Sequence, residues 1–305
     1  YSVSLSSDGS IIAFGTPISG RTGGSREWRG HAEIWSYNEV DNLWTQLGKD
    51  IKGESKSAHS GKSVALSDDG SIIAIGAVGA STGAVASGQV RIFEYINNEW
   101  EQIGEDIDGR NHNEQLGVFV SISGDGNFVA TSSKGILSRQ NRLGFVKIFE
   151  QINNGWQQVG QDIYAENIND NREFYPTALS SDGSVLAIGA DENDENGTNA
   201  GHVRVFQKVN NFWEQIGGDI YGEHFFGSKG EYLGRSVALS DDGSILAIGV
   251  PEAQINGTWE KSGEVRLFKL VNGSWNLINQ ISFEDESQNL QLDTFSLSAD
   301  GSVVS

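Results

Sequence analysis

The chain has 305 residues, 41 acidic and 21 basic, for a net charge of −20. A surface of that sign repels phosphate backbones and argues against nucleic-acid binding, and no apolar run approaches the roughly 18 residues needed to cross a bilayer. Lack of Cys excludes disulfides, thiolate metal sites and a cysteine nucleophile, while 39 Gly against 3 Pro suits a turn-rich β protein.

Tyr1 stands inside an expected strand and the sequence has no Met, so the chain is expected to be part of a longer one. The first turn signal, Asp8-Gly9, opens a series: Gly9, Gly70, Gly126, Gly183, Gly243 and Gly301 recur at intervals of 56 to 61 residues. Trp44, Trp100, Trp156, Trp213 and Trp275 keep step with them. Two landmarks advancing together mark an internal repeat, with copies at about 2–62, 63–118, 119–176, 177–235 and 236–294 and the start of a sixth at 295–305.

The second copy shows the elements most plainly. Ser63–Ser67 alternates as a strand, and Asp69-Gly70 supplies the positive-φ turn of a hairpin. Ser71–Gly76 is a near-continuous apolar run, as in a strand covered on both faces. A variable loop leads to Gln89–Tyr95, then an Asn97-Asn98 turn, then Glu99–Ile103 with its Trp. No segment has a convincing helical period. The predicted class is all-β: a β-propeller of four-stranded antiparallel blades, five complete repeats and part of a sixth, forming one domain over 1–305. The five recurring Trp are assigned to packing between blades.

A charge pattern accompanies the repeat. Asp50, Asp106, Asp162 and Asp219 end the fourth strands, and Arg91, Lys147, Arg204 and Arg266 recur in the third. Opposite charge at every step suggests pairing of each Asp with the base of the following repeat; the alternative is that each charge meets solvent or a backbone amide.

Strand directions place the loops after the second and fourth strands on one face. Their variability makes that face the expected recognition surface, with Trp28, Phe174, Tyr175, Phe225, Phe226, Tyr232 and Trp259 as binding candidates; the alternative is that these aromatics fold back over their own blades. The loop 191–197 is the dense oxygen cluster, and Asp191, Asn193, Asp194 and Glu195 are its candidate Ca²⁺ ligands; the alternative is a solvated acidic turn. Asn196, Asn256 and Asn272 begin glycosylation triplets. The five His show no metal-binding spacing, and no nucleophile elbow or phosphate-cradling loop is present. These features predict no catalytic residue and no firm cofactor.

The repeat resembles the FG-GAP repeat of integrin α-chain propellers, and more closely its bacterial and algal surface-protein version. The resemblance rests on Gly61, Gly117 and Gly234 before the first strand, the Asp-Gly turn, and exits such as Gly15-Thr-Pro17 and Gly249-Val-Pro251. It rests further on the Trp-x-Gln-x-Gly-x-Asp-Ile-x-Gly-Glu runs, as in Trp44 to Glu54 and Trp213 to Glu223. It implies a non-catalytic extracellular or cell-surface module that binds a protein or glycan, or takes its place in a larger extracellular assembly. The integrin-type calcium loop is not matched: Ala65-x-Ser67-x-Asp69-Gly70 offers one carboxylate where a hard cation wants six to eight oxygens. The alternative function is a secreted carbohydrate-active enzyme using carboxylates at a central channel.

Overall fold

The computed structural model describes residues 1–19, 21–22, 25–134, 143–166, 175–223, 230–255, 258–284 and 295–305. They fall into two compact units, Tyr1–Ile136 with Gly144–Tyr164 and Ala165–Ser305 with Leu137–Leu143.

The first unit holds a two-stranded ribbon, Arg21–Thr22 with Ser25–Arg26, and three larger antiparallel sheets, each with four strands paired in chain order. They are Ser2–Leu5, Ile11–Thr16, His31–Asn38 and Leu43–Gln46; Ser60–Leu66, Ile72–Ala77, Gln89–Ile96 and Glu99–Gln102; and Val120–Ile122, Phe128–Ser133, Phe145–Ile152 and Gly155–Gln158. The second unit holds Thr177–Leu179, Val185–Ala190, His202–Val209 and Phe212–Gln215, then Val237–Leu239, Ile245–Ile255, Thr258–Val271 and Ser274–Glu284. A Leu297–Val304 bridge begins the sixth repeat. Four sheets gain a short fifth segment that the alternation pattern does not predict. Ile51–Lys52, Ile107–Asp108, Ile163–Tyr164 and Ile220–Tyr221 each pair with the start of the third strand.

Local chemistry explains the turns. Ser67 Oγ donates to Asp69 Oδ1 at 2.8 Å, and that carboxylate accepts from the Ser71 amide at 2.9 Å. The same closure recurs at Asp8, Asp125, Asp182, Asp242 and Asp300. Bonds from Ser10 and Ser6 hold the Asp8 carboxyl at about 2. The carboxylates therefore serve the hairpins. Successive turns are also tied together, Ser7 N donating to Asp68 O and Asp68 N to Gly124 O in the first unit.

Packing between sheets uses the motif residues. Ala13, Ala32, Ile34 and Ile51 of the first sheet share a core with Val64, Ile73, Ile75 and Phe93 of the second. In the second unit, Val185, Val203 and Val205 meet Leu246, Ile248 and Phe268. Trp100 Nε1 donates to Leu47 O at 2.8 Å, Trp156 to Ile103 O at 2.9 Å and Trp275 to Ile216 O at 3.0 Å, each one repeat back. The motif glycine makes each seat, since a Cβ on Gly48 would stand 2.8 Å from the Trp100 ring. Trp213 is buried, whereas Trp44, in the first repeat, is 43% exposed and rests on Tyr37. Burying most of such a ring contributes on the order of 3 kcal/mol. The other two motif glycines meet each other: a Cβ on Gly15 would lie 2.2 Å from Gly61 O, and one on Gly76 2.2 Å from Gly117 O. Neighbouring backbones touch there, and only hydrogen fits.

The charge pairing differs from the sequence expectation. Asp50, Asp106 and Asp219 accept from Gln46, Gln102 and Gln215 within their own repeats. Arg91 meets Glu54 at 3.4 Å, and Arg204 meets Glu166 at 3.0 Å. Those glutamates stand four residues beyond the Asp of the preceding repeat. Lys147 lies 3.9 Å from Asp162 of its own repeat, and Arg266 chelates Glu231. The carboxylate that reaches forward is the motif's final Glu, because the Gln already holds the Asp.

Candidate functional site

In the first unit, the loops after the second and fourth strands converge on a cleft of about 520 Å³. Tyr1, Ile18, Lys56, His59, Lys62 and Val85 are among its lining residues, and no Asp or Glu is among the described ones. Tyr1, Ile18 and Val85 are 79%, 66% and 63% exposed. Lys62 lies 4.1 Å over the Tyr1 ring and also reaches its hydroxyl. Lys56 pairs with Glu27 at 3.0 Å, and Glu27 is held below the usual carboxylate range by hydrogen bonds from Arg29 and Lys56.

Four residues lining this cleft, Ser57, His59, Ala86 and Gln115, have positive φ without being Gly or Asn. Each such conformation costs about 1 kcal/mol or more and persists where surrounding bonds impose it. Those bonds are present: Ser57 N to Glu27 O, His59 N to Trp28 O and Gln115 N to Ala86 O, at 2.7 to 3.1 Å. Adjacent loops are thus laced together through their backbones along the wall of the cleft.

The sequence candidates scatter. Trp28 is half-buried, its ring 5.8 Å from His59 behind the cleft. Tyr175 is buried, and Tyr232 is half-buried with its hydroxyl bonded to Asn199. Phe174, Phe225 and Phe226 lie outside the described residues, as do Asn256 and the side chain of Trp259. Exposed Asn272 sits on a turn between strands, and the Asn196 amide donates to Gly222 O.

The proposed oxygen cluster of 191–195 divides. Asp191 is buried against Arg235 at 2.8 Å, Asn193 is buried and accepts from the Glu195 amide, and Asp194 caps the Asn199 amide. Glu195 instead joins Glu166, His202 and Asp219, with one potential ligand atom from each lying within 4.8 Å of the others. Strand geometry builds this second group. His202 opens its strand, Arg204 follows on the same face, and Tyr221 stands opposite His202 in the short fifth segment. The Tyr221 hydroxyl is 3.0 Å from Glu195 Oε2 and 2.9 Å from Asp219 Oδ2, and burial and these carboxylates raise its pKa. His202 is 2% exposed, and burial and the Arg204 charge lower its pKa to about 4. His spacing along the chain carried no sign of this group, because its members come from separate loops and strands.

No known family pattern and no curated protein matches the sequence. Among solved structures, the chain superposes on the tricorn protease over 98% of its own length and 28% of that chain, at 10% identity and a TM-score of 0.52. The blades are those of a β-propeller. TolB from Acinetobacter baumannii aligns over 98% of this chain and 58% of its own, at 15% identity and a TM-score of 0.49. Prolyl endopeptidases align over 91% and 33%, at 12% identity and 0.47. The chain spans less than two thirds of each of these proteins.

Proposed function

We propose that this β-propeller chain is a non-catalytic extracellular or cell-surface binding module of the FG-GAP-like kind. It holds a carboxylate-bearing protein or glycan in the cleft of its first unit. The observation that carries this reading is the cleft itself: Lys56 and Lys62 face a wall of laced, strained loops, while Tyr1, Ile18 and Val85 stand exposed at the lining. Lys62, with Lys56 shared between the cleft and Glu27, favours an anionic group here on a chain of net charge −20, which orients a ligand. Exposed apolar groups beside it supply the contact area that charge alone does not. Glycoside hydrolysis needs a carboxyl pair, and among the described residues no carboxylate lines this cleft. The strong negative charge and the exposed Asn272 triplet suit a chain assembling with neighbours outside the cell.

The test is a glycan array carrying uronic-acid, sialic-acid and neutral sugars, paired with an array of acidic peptides. Both are probed with the chain and with a Lys56→Glu/Lys62→Glu variant. Binding confined to carboxylate-bearing probes and reduced at least tenfold in the variant is the expected result. Equal binding by the two proteins, or binding to neither array, would overturn the reading.

A further inference from the structure

One register position of the third strand, its first residue in the first four repeats and an interior one in the fifth, changes occupant from repeat to repeat. The residues are His31, Gln89, Phe145, His202 and Glu264. In the second repeat, Gln89 Nε2 donates to Asp106 at 2.7 Å and to Asp108 at 3.3 Å. In the fifth the roles are exchanged, Gln280 donating to Glu264 at 2.9 Å while Arg266 binds Glu231 and Glu264. In the first, His31 uses both ring nitrogens, Nε2 on Glu33 and Nδ1 on Ser19. The third places Phe145 there, and the Tyr164 hydroxyl donates to Asp162. Each of these seams closes on itself.

The fourth repeat does not. His202 is 2% exposed, brings a ring nitrogen into the group formed with Glu166, Glu195 and Asp219, and has a buried Nδ1 with no hydrogen-bond partner among the described residues. Among the described residues, three carboxylates face one guanidinium, that of Arg204, which binds Glu166 Oε1. Where the other repeats place an amide donor or a closed pair, this one gathers acceptors.

We propose that Glu166, Glu195, His202 and Asp219 bind one divalent transition-metal ion, with Zn²⁺ the best fit. A single imidazole among carboxylates selects a borderline cation over Ca²⁺, which takes an all-oxygen shell of six to eight. Ligand bonds of about 2.0–2.2 Å put neighbouring donors of a tetrahedral Zn²⁺ roughly 3.4 Å apart. The four ligand atoms, within 4.8 Å of one another, therefore draw in by up to about 1.4 Å on closing, a movement open to the exposed Glu166 and Glu195 side chains. A +2 charge balances the local excess of negative charge, and the single Tyr221 hydroxyl proton, within reach of Glu195 and Asp219, orients the one it is donated to. The site lies in the second unit and rests on none of the residues in the cleft, so the two readings fail separately.

The experiment is calorimetric titration of the full chain with ZnCl₂ at neutral pH, repeated with CaCl₂ and followed in parallel by the visible absorption of bound Co²⁺. His202→Gln, which installs the side chain the second repeat already accommodates, and exposed Glu195→Gln are the test variants; His31→Gln is the control. One equivalent of Zn²⁺ bound at least tenfold more tightly than Ca²⁺, weakened at least tenfold in both test variants and unchanged in the control, is the expected outcome. No uptake by the chain, tighter binding of Ca²⁺, unchanged affinity in His202→Gln and Glu195→Gln, or an equal loss in the control would overturn the proposal.

Discussion

The second and fourth repeats carry the same polar seam with different endings. Gln89 and His202 occupy equivalent positions, each followed two residues later by an arginine and flanked by the motif Asp. Gln89 brings its own donor, so Asp106 and Asp108 are satisfied by the protein. His202 brings a lone pair, and the carboxylates around it look to Tyr221, Gln215 and Arg204 for donors. The change from Gln89 to His202, together with Tyr221 in the place of Asp108 and the added Glu166 and Glu195, thus separates a structural network from the group proposed to receive a cation. Buried polar networks gain their value from completeness, and an incomplete one points outward to a ligand.

Four substitutions sharpen that contrast. Breaking the most buried seam gives the largest effect: Glu231→Ala leaves Arg266 without its chelating partner and should cost about 3–5 kcal/mol in urea unfolding. Next comes the metal-free pH dependence of the fourth repeat. Folded His202 stays neutral down to about 4, whereas the unfolded imidazole takes a proton near 6.5. Stability should therefore fall as pH drops through that window, by about 3 kcal/mol in all. Denaturation at pH 7, 5.5 and 4 should show this slope in the parent chain and its absence in His202→Gln. Gln89→Ala removes the donor to Asp106 and Asp108 and should lower stability by about 1–2 kcal/mol in the same assay, with no effect on Zn²⁺ titration. Smallest is Lys49→Ala, which removes an exposed ion pair to Glu99 and should change stability by less than about 0.5 kcal/mol.

Much of the fold was legible because apolar alternation and Asp-Gly turns report backbone directly. The strand Gln89–Ile96, the left-handed Asn97-Asn98 turn and the Trp100 contact one repeat back all follow from the repeat pattern. Segments such as Ile51–Lys52 were not legible, since two residues carry no period and their pairing is set by the third strand they meet. Charge order suggested the wrong partner for Arg91: Asp50 and Glu54 both precede it, and only the Gln46 bond shows that Asp50 is occupied. The candidate site was the least legible part. Glu195 stood among the suspects for its loop, but its neighbours Glu166, His202 and Asp219 are brought to it by strand pairing and loop return, which sequence spacing does not record. Likewise the cleft is made by backbones of ordinary residues held at positive φ, a property that Ser57 and Ala86 do not announce.

The most direct test of the open seam is a crystal of the chain grown with Zn²⁺ and measured at the zinc absorption edge. The account predicts one strong anomalous peak within about 2.3 Å of a His202 ring nitrogen and of oxygens from at least two of Glu166, Glu195 and Asp219. A map with no peak there, or with zinc on surface histidines alone, would contradict it.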